Sequence, residues 1–417
     1  MKVKIVKNTI FQVLGKIFGS ASTLVVTYLV ARNYGVSGYG SYTEIMAYVT
    51  LFYMVTDFGM NAVVVRESDG NEKEWFSNLL GLRIFWAMGL MFLALAVVVF
   101  LPYDSIEMKG FSDSVKVGIV FGSGMILVQS LVTTFNGVFQ KFLDYGGLFI
   151  ASFGGGVLTI VMVYLFSEIG APIYLVVLGQ VAGGVGVVVI SYFLARKYVK
   201  NIRIVVDFEK WKKILVPALP LGAVLVFNLV YFRVDTLILT FYKGSEAVGI
   251  YGLGYKFFEF VLSLPTFFMN SVYPMMIKAA KENRERVKGM VEGSFVFLFL
   301  GSVGISLMGW FLAPYIIDFF GGGFEESVLV LRLLLLGLPF FFLSNLFMWY
   351  LIVLKKQGVL VYIYGVGMIF NVAANLIFIP RYSYIASSVI TGLSELLVVA
   401  GLMFVSYRQM YGGRNEG

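Results

Sequence analysis

Residues 148–195 read LFIASFGGGVLTIVMVYLFSEIGAPIYLVVLGQVAGGVGVVVISYFLA: two apolar runs of roughly 20 residues on either side of the turn SEIGAP. As a helix rising 1.5 Å per residue, each run spans a hydrocarbon core of about 30 Å. Working outward, runs of the same kind recur at roughly 10–31, 41–64, 79–101, 117–140, 148–167, 172–195, 214–240, 249–276, 290–313, 328–354, 359–379 and 384–406. They predict twelve membrane-spanning helices. The 417 residues are 59% hydrophobic and 13% charged, too few charges to coat a water-facing globule. The expected class is therefore an all-α polytopic membrane protein.

The chain holds no cysteine and no histidine. That removes disulfides, thiolate metal sites, the cysteine nucleophile and the usual general base. No P-loop pattern is present, and the glycines at 154–156 lie within an apolar run, without the strand-to-helix setting a nucleotide site needs. No enzyme activity, cofactor or metal is expected.

The net charge of +8 could suggest nucleic acid. Instead, Lys and Arg fall in short loops that alternate between the two sides. One side takes Lys2, Lys4, Lys7, Arg66, Lys73, Lys141, seven basic residues in 196–213, five in 278–288, Lys355, Lys356, Arg408 and Arg414. The other takes only Arg32, Lys109, Lys116, Lys243 and Arg381. The positive-inside rule then places both termini in the cytoplasm, with a multi-pass chain in the cell membrane and no nucleic-acid partner. The first apolar run is too long for a signal peptide and lacks a small-x-small cleavage site, so it is expected to be retained.

An internal repeat lies at an offset of 209 residues. ARNYGVSGYGSY (31–42) overlies TFYKGSEAVGIY (240–251), matching Gly35 with Gly244, Gly40 with Gly249 and Tyr42 with Tyr251. The same register pairs Met60 and Asn61 with Met269 and Asn270, Phe18 with Phe227 and Thr27 with Thr236. Both copies cross in the same sense, which predicts two parallel six-helix bundles, 1–205 and 206–417, around a central cavity and rocking alternately. Pro217, Pro220, Pro265, Pro274, Pro314 and Pro339 predict bent helices in the second half, as static packing features or as hinges. The spacings Gly15/Gly19, Gly118/Gly122 and Gly179/Gly183 predict close helix contacts.

Ionisable residues within the spans are the sharpest functional signal, because each costs about 2.5 to 3.5 kcal/mol to insert near a helix centre. They are Lys16, Glu44, Asp57, Arg233, Asp235, Lys256, Glu259, Arg332 and Glu395. Arg32 and Arg83, at span ends, are expected to snorkel. Arg233 and Lys256 fall at one depth, roughly 10 Å inside. With Arg332 and Arg32 they are expected to line the outer half of the cavity and to suit an anionic substrate. Lys256 and Glu259, at i and i+3, share a helix face and can pair. Arg233 and Asp235 lie about 200° apart and cannot both face one lumen. These groups read equally as substrate contacts or as interhelical ties. Glu395, without a local basic partner, reads as a proton or sodium carrier; Glu44 and Asp57 are further ion-coupling candidates, Asp57 also as an end cap. Asn136, Asn228, Asn270, Asn371 and Asn375 read as sugar contacts or helix-packing groups. Tyr231, Tyr251 and Tyr255 read as sugar-stacking or interfacial residues.

LVARNYGVSGYGSY (29–42) leading to TDFGMNAVVVRE (56–67), and FRVDTLILTFYKGSEAVGIYGLGYK (232–256) leading to Pro265 and Pro274, resemble the polysaccharide biosynthesis (oligosaccharide flippase) family. That family lies in the multidrug/oligosaccharidyl-lipid/polysaccharide (MOP) superfamily. The resemblance covers nearly the whole chain and implies two six-helix bundles in a V around a central cavity. It also implies a substrate, an oligosaccharide on a polyprenyl or dolichyl phosphate or pyrophosphate. This would be turned across the membrane for surface polysaccharide or glycoprotein assembly, with the carrier's tail in the membrane lipids. Arg32, Arg233, Asp235 and Lys256 lie in the quoted segments; Arg332 and Glu395 do not and rest on charge alone. A cation-coupled (Na+ or H+) multidrug antiporter is the second reading, and a membrane glycan polymerase or glycosyltransferase the third.

Overall fold

The longest apolar stretches, Ile10–Glu67, Val230–Glu282 and Gln357–Tyr411, run for 58, 53 and 55 residues. Straight, each would reach about 80 Å, far beyond one crossing of a bilayer. Each is bent where a residue takes positive φ, at Gly35 (φ 64°), Gly244 (φ 73°) and Ser383 (φ 53°), and Ile10–Glu67 breaks a second time at Phe58 (φ 41°) and Gly59 (φ 75°). Gly35 and Gly244 are partners in the sequence repeat, and both combine positive φ with ψ near −170°, a region open essentially to glycine alone. The loops expected near 32–40 and 241–248 are therefore reduced to sharp kinks, each joining two helices at one glycine.

The computed structural model describes residues 2–411. The elements are α1 (Lys2–Val55), α2 (Met60–Glu67), α3 (Glu72–Val98), the strands β1 (Tyr103–Asp104) and β2 (Lys109–Gly110), α4 (Asp113–Gly122), α5 (Gly124–Phe142), α6 (Tyr145–Glu168) and α7 (Ile173–Ala195). They continue with α8 (Phe208–Val261), α9 (Ser263–Glu282), α10 (Arg284–Asp318), α11 (Glu325–Val353) and α12 (Gln357–Tyr411). β1 and β2 pair antiparallel, Tyr103 opposite Gly110. Among the described residues, nine helical stretches are long and apolar enough to cross a membrane. Arg414 and the side chains of Lys2, Lys4, Lys7, Pro220, Phe227, Asn228 and Arg284 lie outside the described residues.

The chain divides into two compact units: Met1–Leu229 with Gly244–Glu246, and Val230–Lys243 with Ala247–Gly417. In the first, α6 and α7 approach backbone to backbone. A side chain on Gly183 would collide with Thr159 and the Gly155 carbonyl, and one on Gly179 would press on Met162 at 3.2 Å. Gly118 and Gly122 seat α4 on Ile45, Val49 and Val177. Lipid is as apolar as leucine, so such contacts hold helices by close packing and not by removal from water. The expected contact at Gly15/Gly19 forms only in part: a Cβ on Gly15 would lie 3.9 Å from the Phe149 ring of α6. Gly19 has nothing within 4 Å, because this part of α1 presents Ile10, Val13, Leu14 and Ile17 outward.

In the second unit α11 is the central helix, with Leu331, Leu334, Leu338, Phe342 and Leu346 buried and α9, α10 and α12 against it. Gly337 and Gly392 let α11 and α12 approach so closely that a Cβ on Gly337 would lie 3.0 Å from the Gly392 Cα. The ladder between α8 and α9 breaks at Leu262, where Pro265 supplies no amide for the Val261 carbonyl.

Candidate functional site

The bend at Gly244 lays the two arms of α8 side by side, and the polar residues of both arms meet within the second unit. Arg233 is eleven residues before the bend and Lys256 twelve after it, which puts them at the common level expected from the sequence. Both reach one carboxylate: Arg233 Nη2 donates to Glu259 Oε1 at 2.9 Å and Lys256 Nζ to Oε2 at 3.0 Å. The three side chains are 24%, 27% and 37% exposed, so the trio is neither sealed nor fully solvated. Two cations on one anion leave the trio one net positive charge, and guanidinium and ammonium are the groups that bind phosphate and carboxylate.

Asp235 points away from this trio, as the angle around the helix requires. Its Oδ1 accepts the Thr236 amide at 2.7 Å and the Thr236 hydroxyl at 3.4 Å, while Oδ2 accepts the Tyr251 hydroxyl. Tyr251 lies 3.5 Å from Thr391 Oγ1 on the second arm of α12. One turn further along, Glu395 accepts the Tyr231 hydroxyl at 2.7 Å and the Ser344 hydroxyl. Tyr231 and Asp235 are i and i+4 on α8, as Thr391 and Glu395 are on α12, so two buried carboxylates are stacked a turn apart with hydroxyl groups linking the helices. Asn371 donates to Ser394 at 3.1 Å, and Asn375 donates to the Asn371 carbonyl at 2.9 Å, extending the polar interior along α12. Asp235 and Glu395 are each 2% exposed, so in this conformation neither meets a bulky ligand.

The remaining candidates are held separately. Arg332 Nε donates to the Trp310 carbonyl at 3.1 Å, and its guanidinium lies over the Trp310 ring, tying α11 to α10. Arg32, exposed on α1, pairs with the Tyr28 hydroxyl. Glu44 is buried and accepts the Ser245 hydroxyl at 2.7 Å. Asp57 sits at the break between α1 and α2, where Phe58 and Gly59 both take positive φ. Its carbonyl caps the Met60 amide, and its carboxylate pairs with Arg83 Nη2 at 2.5 Å.

Arg83 corrects an expectation. It is fully buried and does not snorkel: α3 begins at Glu72, so Arg83 lies eleven residues into the helix, facing Asp57 and Thr134. The sequence reading also missed Ser344 and Thr391. The i, i+4 spacing of Thr391 and Glu395 would have revealed Thr391; nothing local marks Ser344.

The family model described as polysaccharide biosynthesis protein matches residues 5–280, well over half of the chain. The chain belongs to the polysaccharide biosynthesis protein family. A second family model, MatE, matches residues 220–377. Among solved structures, the lipid II flippase MurJ in an inward closed conformation superposes with a TM-score of 0.76 at 16% identity, covering 96% of this chain and 87% of that one. An inward-facing multidrug resistance MATE family transporter of the MOP superfamily gives 0.73 at 13% identity, covering 97% and 96%. A MOP superfamily transporter from Pyrococcus furiosus gives 0.64 at 13%, covering 97% and 95%. No curated protein matches in sequence. At these identities the structural likeness establishes the fold: this family member is an all-α, multi-pass membrane protein with the architecture of membrane transporters.

Proposed function

We propose that the chain is a flippase. It turns an oligosaccharide linked to polyprenyl or dolichyl phosphate or pyrophosphate from the cytoplasmic to the outer leaflet of the cell membrane, for surface polysaccharide or glycoprotein assembly. The observation that carries this reading is the Arg233–Glu259–Lys256 trio, a partly exposed group with one net positive charge inside the apolar part of α8. An ionised group in a membrane costs free energy, which makes the trio a candidate functional site, and phosphate is an anion that Arg and Lys bind. Membership of the polysaccharide biosynthesis protein family and likeness to a protein described as a lipid II flippase support the same assignment.

The three bent stretches, each taken as two crossings, make the nine helical stretches twelve spans with both termini cytoplasmic. The halves 1–205 and 206–417 act as two six-helix bundles in alternating access. No bond of the substrate is made or broken. Glu395, buried among hydroxyls without an adjacent cation in its hydrogen bonds, carries the coupling ion, Na+ or H+. Glu44 and Asp57 are secondary candidates, Asp57 the weaker because Arg83 already neutralises it.

Reconstitution in liposomes with a fluorescent polyprenyl-pyrophosphate oligosaccharide tests the reading. Protein-dependent appearance of the oligosaccharide in the opposite leaflet is the expected result. The second reading, a cation-coupled multidrug antiporter, draws on the MatE match to residues 220–377. Gradient-driven movement of small organic cations without any oligosaccharide translocation would replace the first reading with it.

A further inference from the structure

The segment from Arg196 to Pro217, at the membrane-proximal ends of α7 and α8, has a built form that the transport reading does not use. It is anchored from beneath. Val199, Trp211, Ile214 and Ala218 are buried in one cluster with Phe76 and Leu79 of α3. The Arg203 amide donates to Ser77 Oγ at 3.3 Å, and a side chain on Gly81 would collide with the Val205 carbonyl. The backbone of a seemingly open linker is thus fixed against α3.

Two of its seven cations are internally neutralised, Lys197 by Asp144 and Lys210 by Glu74. The others face outward. Arg196, Lys200, Arg203, Lys212 and Lys213 are exposed, and among the described residues none of them is in an ion pair. Of the two acids in the segment, Asp207 is occupied in accepting the Glu209 and Lys210 amides at 3.1 Å each. Lys212 and Lys213 rim a shallow groove of about 530 Å³ whose other walls are Glu209, Val216 and Pro217. Beside the cations stand exposed apolar side chains, Ile204, Val206, Phe208 and Val216, with Phe208 at 75%.

Exposed cations next to exposed apolar side chains, at the ends of membrane helices, match a leaflet surface: phosphate outside, acyl chain below. We propose that this segment is a binding site for anionic phospholipid headgroups, with the groove at Lys212 and Lys213 taking the phosphate and Phe208 and Val216 lying against the acyl chains. The site is separate from the Arg233–Glu259–Lys256 trio and does not depend on what the protein transports.

The test uses the purified full chain in neutral detergent, titrated with dioctanoyl phosphatidylglycerol, dioctanoyl phosphatidylcholine or inorganic phosphate, with bound lipid counted by native mass spectrometry. Each basic residue near an anionic surface strengthens binding by about fivefold. The variant Lys200→Gln/Arg203→Gln/Lys212→Gln/Lys213→Gln is therefore expected to bind phosphatidylglycerol at least tenfold more weakly, on the order of that principle. Lys212→Arg/Lys213→Arg should bind as the parent does, and so should Lys278→Gln/Lys281→Gln at the C-terminal end of α9. Should the fourfold variant not fold, the single variants Lys212→Gln and Lys213→Gln carry the test, each with a loss of about fivefold. Undiminished binding by the Gln variants, equal retention of phosphatidylcholine, displacement of the lipid by inorganic phosphate, or an equal loss in Lys278→Gln/Lys281→Gln would each overturn the proposal.

Discussion

Glu259 shows how one carboxylate decides what two cations can do. By holding Arg233 and Lys256 together it fixes their direction and halves their charge. Charge reversal at either cation, Arg233→Glu or Lys256→Glu, should abolish oligosaccharide translocation in liposomes while membrane insertion is retained. Unchanged transport in both variants would refute the anion-site model. Glu395→Gln keeps an acceptor for Tyr231 but can no longer gain or lose a proton; translocation by this variant should no longer respond to an ion gradient, and a preserved gradient response would remove Glu395 from coupling. A third prediction concerns Asp144, which caps α6 through the Gly147 amide at 3.1 Å and pairs with Lys197 at 2.7 Å. Burial acts to raise its carboxyl, but Lys197 and that amide outweigh it and hold it below the usual range. The stabilisation is then present above the unfolded carboxyl's value near 3.9 and is lost as pH falls through the lower folded value. Asp144→Asn can still cap α6 but loses the pairing with Lys197, and should cost a few tenths to about 1 kcal/mol at pH 7, read from thermal unfolding, and progressively less as the medium is acidified toward pH 3. A cost independent of pH would count against the ionised cap.

At the level of elements, the three bends should respond differently to substitution, because their residues and surroundings differ. Gly35 has open space where a Cβ would stand, so Gly35→Ala should cost only the backbone strain, about 1 to 3 kcal/mol. Gly244→Ala adds a collision with the Met108 carbonyl and should cost more. Ser383, a non-glycine residue at φ 53° and ψ −141°, already carries such strain, so Ser383→Gly should raise the unfolding temperature. Equal effects at Gly35 and Gly244, or a loss of stability in Ser383→Gly, would contradict the bends as described. The first two were legible beforehand, because the repeat aligned glycine with glycine. The third was not, since a serine in a helical context announces no reversal.

For the whole molecule, absence of cysteine makes sidedness directly measurable. Ile106, 92% exposed in the turn between β1 and β2, and Asp69, exposed between α2 and α3, lie at opposite ends of α3. With both termini cytoplasmic, Ile106→Cys should react with an impermeant maleimide added to intact cells, and Asp69→Cys only after the cells are opened. The reverse pattern would invert the proposed topology and with it the direction of transport.

Composition, the run lengths and the loop charges were enough to place this chain in a membrane as a bundle of helices, because each backbone group in lipid must be satisfied within its own helix and each crossing needs its own apolar run. Spacing along one helix was equally legible: Lys256 meets Glu259 at i+3, and Arg233 and Asp235 point apart. Contacts between distant residues were decided only by tertiary packing. Tyr231 and Glu395 are 164 residues apart, Arg83 is buried because Asp57 and Thr134 face it, and Arg332 turns to Trp310 instead of joining the trio. A sequence repeats its local geometry every few residues, but how far each helix is rotated toward its neighbours is settled by which small side chains let them close.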